Sequence, residues 1–197
     1  MPRRQEGSQP TWTDVKAKLS AFDRAGLLGL IQNLYLANPD NRAFLHARFG
    51  LAEDVLHPYR ETIEQWISPD VFGRGEISVS KAKKAISDYK KAVDQPEGLV
   101  ELMVFYCELA ADFCCEFGMQ DEGYLGALIR MFDQALKLTA TLPPGPRDAF
   151  VARLDHVRLV SHNFGYGIGD DMDFLFAEYG VGETESGTPN SEDDVAS

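Results

Sequence analysis

The sequence predicts an all-α fold: an irregular bundle of eight or nine helices built from antiparallel helical hairpins, with a helical-repeat-like arrangement as a variant. Apolar residues recur at helical spacing from Thr13 to Tyr179. No stretch alternates apolar and polar residues with β-branched enrichment, as a half-buried strand would. The connections between neighbouring apolar segments are short, which favours antiparallel neighbours.

The chain has the size and composition of one globular domain, with 197 residues, 44% hydrophobic and 25% charged. We expect a flexible leader over residues 1–11, a single α-helical domain over 12–180 and an acidic disordered tail over 181–197. The tail holds five acids, no Lys or Arg, and many Gly, Ser and Thr residues. Such a segment cannot bury enough apolar surface to offset its ordering entropy.

Turn and capping residues delimit the first predicted helices. We expect a short helix over Thr13–Ser20, a second over Asp23–Ala37 and a third from Pro39 to Phe49. Asn38 can cap the third helix, Pro39 suits its first position, and Gly50 ends it. On the second helix, three apolar residues share a face: Leu27, Ile31 and Leu34.

The middle of the chain is predicted to hold two helices around a loop. Residues 52–67 have a helical pattern, with a kink or break at Pro58 because proline lacks a backbone donor. Residues 68–79 form a loop. Ser80 then caps a helix that extends to about Val93.

The helix predicted over Glu97–Phe117 is the expected centre of the fold. It has two apolar stripes, which is typical of a helix packed between others. One stripe contains Leu99, Leu102, Tyr106, Leu109, Phe113 and Phe117, and the other contains Val100, Val104, Cys107, Ala111 and Cys114.

The remaining elements are predicted in sequence after Gly118. A helix covers Asp121–Thr139, the prolines of 143–146 form a rigid turn, and a helix follows over 146–164. A glycine loop over 165–169 precedes the last helix, over 170–179.

Charge and cysteine content narrow the classes of function. The net charge of −12 disfavours broad electrostatic binding to nucleic acid. Four acids in the helix over 100–117 exclude a membrane span there. The segment 1–10 has no apolar secretory region, and three cysteines on one helix suit buried free thiols. We therefore expect a cytoplasmic protein.

Five lysines crowd one predicted helix: Lys81, Lys83, Lys84, Lys90 and Lys91. Within the helix they are opposed only by Asp88, and pairs seven residues apart share a face. One interpretation is a binding surface for RNA, a phosphate or an acidic protein, with Arg74 and Tyr89 beside it. The alternative, which the sequence favours, is a solvated helix face on which the last lysines complement the helix dipole.

The glycine loop is the best candidate for an unusual backbone. Gly165, Gly167 and Gly169 flank Tyr166 and Ile168, and permit positive φ values or close approach by a ligand. A dinucleotide fingerprint would require a preceding strand, whereas a helix precedes this loop. We expect a tight helix-to-helix connection, with Asp170 and Asp171 as caps, over a ligand loop.

No metal or cofactor is expected. Glu108 and Asp112 share a helical face with Cys115, and His162 is the other weak metal candidate. A polar edge on a buried helix explains the acids better, because the Glu-x-x-His pair of di-iron bundles is missing. Catalytic residues are likewise not indicated: Ser161 and His162 are neighbours on a helix and do not face each other.

The segment Ser80-Lys81-Ala82-Lys83-Lys84-Ala85-Ile86 resembles an uncharacterised bacterial family of small all-helical domains. Two weaker similarities are Phe117-Gly118 after an apolar helix, and the later pattern of Phe132 followed by 135–138. The resemblance implies a helical domain over about 13–180 and implies no activity.

Three functions stay open from the sequence. The first, which we favour, is a protein-interaction or scaffold module whose partner is another protein. The second is an RNA- or phosphate-binding module that uses the lysine helix, and the third is a metal-assisted enzyme. The sequence does not predict an oligomeric state.

Overall fold

The computed structural model describes residues 10–51, 53–70, 72–73 and 75–179. The described part of the chain is all-helical, with nine helices and no strand, so the predicted fold class is confirmed. The predicted disordered tail over 181–197 and most of the predicted leader lie outside these residues. The chain divides into two compact units, residues 1–52 and 53–197. The single domain expected over 12–180 stays a prediction.

The first unit contains α1 (Trp12–Leu19), α2 (Arg24–Ala37) and α3 (Pro39–Phe49). Its helix ends agree with the predicted bounds to within one residue. Asp23 Oδ1 accepts a hydrogen bond of 2.7 Å from the Gly26 amide, and Asn38 Oδ1 accepts one of 2.8 Å from the Asp40 amide. Gly50 ends α3 with a left-handed φ of 62°, a conformation that favours glycine. Helices α2 and α3 pack against each other.

The second unit contains α4 (His57–Ile67), α5 (Val79–Ala92), α6 (Pro96–Phe117), α7 (Glu122–Thr139), α8 (Pro144–Ser161) and α9 (Ile168–Glu178). Helix α6 lies at its centre, in contact with α4, α5, α7 and α8, and α9 packs on α7 and α8. The prediction that Glu97–Phe117 is the central helix of the fold holds within this unit.

The two predicted stripes of α6 account for most of its buried side chains. Val100, Val104 and Cys107 are fully buried, as is Leu102. Two members of the first stripe depart from the prediction: Leu109 is half-buried and Phe117 is 38% exposed. Phe117 is the last helical residue before Gly118, whose φ of 61° turns the chain away.

Four helix starts differ from the predictions, and one of them is α9, which begins at Ile168 inside the predicted glycine loop over 165–169. The break expected at Pro58 lies just before it, since α4 begins at His57 and Pro58 occupies its first turn. Asp54 Oδ1 accepts from the Leu56 and His57 amides at 2.9 and 3.2 Å. Helix α8 begins at Pro144, because a first turn needs no amide donors and accommodates prolines. Ser80 lies inside α5 and does not cap it; Ser78 holds the cap position.

Candidate functional site

The lysines of α5 are held in different ways. Lys81 Nζ lies 3.5 Å from the ring centroid of Trp66 on α4, which is cation–π distance. Lys84 Nζ lies 2.5 Å from Asp88 Oδ2, and Lys91 Nζ lies 3.6 Å from Asp88 Oδ1. The stacking on Trp66 explains why a cation is tolerated in the first turn of α5. Three of the five lysines of α5 therefore have a partner on α4 or α5.

The other members of the predicted lysine surface do not gather into one site. Lys83 and Lys90 are exposed. Tyr89, expected beside them, is instead buried at 2% exposure and packs edge-on against Tyr59, with ring centroids 5.3 Å apart. Its aromatic ring belongs to the core, so it does not offer a stacking surface to a base or a phosphate ligand. Arg74 lies outside the described residues.

The glycine loop has left-handed backbone at three consecutive residues: Gly165, Tyr166 and Gly167, with φ of 75°, 54° and 74°. The Ile168 amide closes the turn by donating to the Gly165 carbonyl at 3.2 Å. Gly169 differs, since it is buried in the first turn of α9 and a Cβ there would lie 2.4 Å from His162 Nδ1. This geometry supports the interpretation as a tight connection.

The prediction that Asp170 and Asp171 cap α9 is wrong. Gly167 holds the cap position, and the two acids occupy the first turn, where a negative charge suits the helix dipole.

The three weak metal candidates are not brought together among the described residues. Both carboxylate oxygens of Glu108 accept from Arg153 of α8, at 2.7 Å each. Asp112 is exposed on α6, and His162 lies beside Asp173 of α9, with Nε2 3.2 Å from Oδ2.

His162, Asp170 and Asp173 do form one exposed group whose ligand atoms all lie within 4.8 Å. Arg158 also donates to Asp173 Oδ1, and this contact is the main cause that lowers the pKa of the Asp173 carboxyl. The guanidinium supplies the positive charge that a cation would bring. The group therefore serves as an ion-pair link between α8 and α9.

A network centred on Arg153 joins three helices and was not predicted. Besides Glu108, Arg153 donates to Glu101 Oε2 at 2.5 Å, and Arg60 of α4 lies 3.5 Å from Glu101 Oε1. The carboxylates, above all Glu108, raise the pKa of Arg153. The one sequence signal was the spacing of seven between Glu101 and Glu108, which places both acids on one face of α6.

The thiols of α6 are poorly suited to nucleophilic chemistry. Burial raises the pKa of Cys114 to about 12 and that of the fully buried Cys107 well above its usual value. Cys115 is exposed, contrary to the prediction of buried thiols, and its pKa is raised by desolvation and then by Asp112. The thiolate is the reactive form, and the raised pKa values lower its share at all three cysteines.

The clearest unexplained surface lies on the first unit. Leu27, Leu28, Ile31 and Leu34 of α2 form the α2 face, with exposures between 37% and 57%. Their spacing places them along one side of the helix. Among the described residues 10–51, only Ala47 is buried. An apolar surface of this kind marks an interaction site more often than a solvated one.

Further large apolar side chains are exposed in the same unit. They are Trp12, Val15, Phe22, Leu36, Phe44, Phe49 and Leu51. The sequence predicted the apolar side of α2 but did not indicate that its side chains are exposed within this unit.

In comparisons with known proteins, no family model, no curated protein and no solved structure matches the chain. The resemblance of residues 80–86 to a bacterial helical family therefore stays a prediction. Within the described residues, no helix is both long and apolar enough to cross a membrane.

Proposed function

We propose that this chain is a protein-interaction module that contacts its partner through the α2 face. The observation that carries the proposal is the contrast between the units: the described residues 53–179 bury a full apolar core, whereas residues 10–51 bury only Ala47. Burying a leucine or isoleucine that is half exposed contributes about 1 kcal/mol. The four residues of the α2 face together contribute about 4 kcal/mol, the driving force of a weak protein–protein contact.

The described polar groups support this choice over the alternatives. Tyr89 is buried and three lysines of α5 have partners on α4 or α5, which weakens a nucleic-acid surface on an acidic protein. Glu101, Glu108 and Asp173 accept hydrogen bonds from arginines, so these carboxylates are engaged in structural links. Carboxylates that are paired with arginine in this way are poorly suited to acid–base catalysis, which leaves a binding role as the better proposal.

The test is partner binding by a variant with charge on the α2 face. Leu27→Glu with Ile31→Glu places two carboxylates where an apolar partner would dock, and we expect partner capture from native extract to be lost. Leu159→Glu is the matched control, because Leu159 is 54% exposed on α8. Its partners should equal those of the unmodified chain. Equal capture by both variants, or no specific partner for the unmodified chain, would contradict the proposal.

A further inference from the structure

We propose that the acidic segment over residues 181–197 binds the lysine surface of α5 in the same chain. The lysine surface is formed by Lys83 and Lys90 together with the lysines beside them on α5. Both partners belong to the second unit, and their contact is independent of the proposed function, which concerns α2. The acidic segment lies outside the described residues, and its charge and length follow from the sequence.

Helix α5 is a concentration of positive charge on an acidic protein. It holds five of the eight lysines of the chain, and its one acid is Asp88. Lys84 and Lys91 both lie beside Asp88, with Nζ 2.5 and 3.6 Å from its carboxylate oxygens, so one carboxylate serves two ammonium groups. Most of the positive charge therefore has no counterpart within α5.

Lys83 and Lys90 are the most available members of the lysine surface. Both are exposed, and among the described residues neither makes an ion pair. They are seven residues apart on one face of α5, which is about 10 Å along the helix axis. Ser87 lies between them on that face and is exposed and uncharged. This face of α5 therefore offers two ammonium groups and no carboxylate to an acidic ligand.

The acidic segment has the complementary charge. It contains no Lys or Arg, and its acids are Glu183, Glu185, Glu192, Asp193 and Asp194. The last three are consecutive and span about 7 Å in an extended chain. Lysine carries its charge on a flexible four-carbon stem, so both ammonium groups can approach these carboxylates at once.

The position at which the acidic segment starts allows it to reach α5. The segment follows Tyr179, whose Oη donates to Asp133 Oδ1 of α7 at 2.7 Å. From Tyr179 to Glu192 the chain can extend up to about 45 Å. A compact unit of the size of residues 53–179 has a radius of gyration of about 14 Å. The acids can therefore reach any face of the second unit, including α5.

The tether favours this segment over a separate acidic ligand. Tethering gives an effective concentration of about 1 mM, and half-occupancy at that concentration requires about 4 kcal/mol. Five exposed ion pairs of up to about 1 kcal/mol each can supply this free energy at low salt. A separate ligand of equal affinity at about 1 μM would occupy about one molecule in a thousand. The segment is thus a reversible cover that keeps other acidic ligands off the lysine surface.

The experiment is zero-length carbodiimide cross-linking of the full chain at low salt, with the linked peptides identified by mass spectrometry. Carbodiimide joins an amine only to a carboxylate in contact with it, and we expect links from Lys83 and Lys90 to residues 183–194. Lys137 is the matched control, because it is exposed on α7 one helical turn after Asp133, near the start of the acidic segment. Links to Lys137 that equal or outnumber those to Lys83 and Lys90 would overturn the proposal.

Two further arms of the cross-linking experiment test the nature of the contact. At about 1 M salt, where the Debye length is about 3 Å, the links to Lys83 and Lys90 should be lost. A link between Lys84 and Asp88, which are neighbours on one helix, should remain as the internal reference. An equal mixture of isotope-labelled and unlabelled chains should give links within single chains. Links that persist at high salt, or that join two chains, contradict the proposal.

Nuclear magnetic resonance tests the same contact without a cross-linking reagent. In the full chain, the amide signals of residues 183–194 should differ from those of a free 181–197 peptide. Lys83→Gln with Lys90→Gln should move them to the peptide positions, whereas Lys137→Gln should leave them unchanged. All three lysines are exposed, so the variants should keep the fold, which circular dichroism checks. Signals that already match the free peptide in the unmodified chain, or that respond equally to both variants, overturn the proposal.

Discussion

At the scale of single residues, Thr139 has a buried hydroxyl at the end of α7. Its Oγ1 has no hydrogen-bond partner among the described residues. Leaving such a group unsatisfied costs about 1–3 kcal/mol. We expect Thr139→Val, which keeps the shape and removes the hydroxyl, to raise the free energy of unfolding by about 1 kcal/mol. Urea denaturation followed by circular dichroism measures this change.

Thr141→Val is the matched control for Thr139. Thr141 Oγ1 donates to the Leu138 carbonyl at 2.7 Å, and the residue is exposed, so its replacement should lower stability slightly or not at all. A destabilisation by Thr139→Val equal to or larger than that of the control would mean that the hydroxyl is satisfied in solution.

Glycines show how far local sequence determines the backbone. Gly50 and Gly118 were predicted as helix ends, and both adopt left-handed φ, because the other residue types reach that region only with strain. Tyr166 has a φ of 54° without being a glycine, and no sequence rule singled it out. It lies in the turn that the Ile168 amide closes on the Gly165 carbonyl.

At the scale of elements, Arg153 links α8 to α6. We expect Arg153→Met to lower the free energy of unfolding by about 1–3 kcal/mol, because Glu101 and Glu108 would keep their charges at 20% and 29% side-chain exposure without this donor. Chemical denaturation measures the loss. Adding Glu101→Gln and Glu108→Gln to the Met variant should recover part of it, since the uncompensated charges are then gone.

Arg147→Met is the control on the same helix. Arg147 lies 3.6 Å from its exposed neighbour Asp148, and such surface pairs contribute little. A loss for Arg153→Met no larger than for this control would show that the network does not stabilise α6 against α8.

These elements also show what the sequence could predict. Caps and periodicity located most helices to within two residues, because Asp23, Asn38 and Asp121 act locally. The Arg153 network joins residues 45 and 52 positions apart, and only the packing of α6 on α8 brings them together. Periodicity likewise identified the apolar side of α2 but cannot say what covers it. The proposed interaction surface therefore rests on the exposure of side chains in the structure.

At the scale of the whole molecule, the two units differ in how many apolar side chains they bury. Every buried apolar side chain of the described residues except Ala47 belongs to residues 53–179. Within that unit, α6 contacts α4, α5, α7 and α8, and α9 contacts α7 and α8. Stability should therefore be distributed unevenly along the chain.

A chain that begins at Glu53 should fold without the first unit. We expect it to unfold cooperatively, with a melting temperature within about 4 °C of the corresponding transition in the full chain, the shift that about 1 kcal/mol produces in a unit of this size. Residues 1–52 alone should show little helix in dilute solution, because the described part of this unit buries only Ala47. Circular dichroism on both pieces measures this. A molten Glu53 chain, or a 1–52 piece fully helical at every dilution, would mean that the buried side chains do not determine where the stability lies.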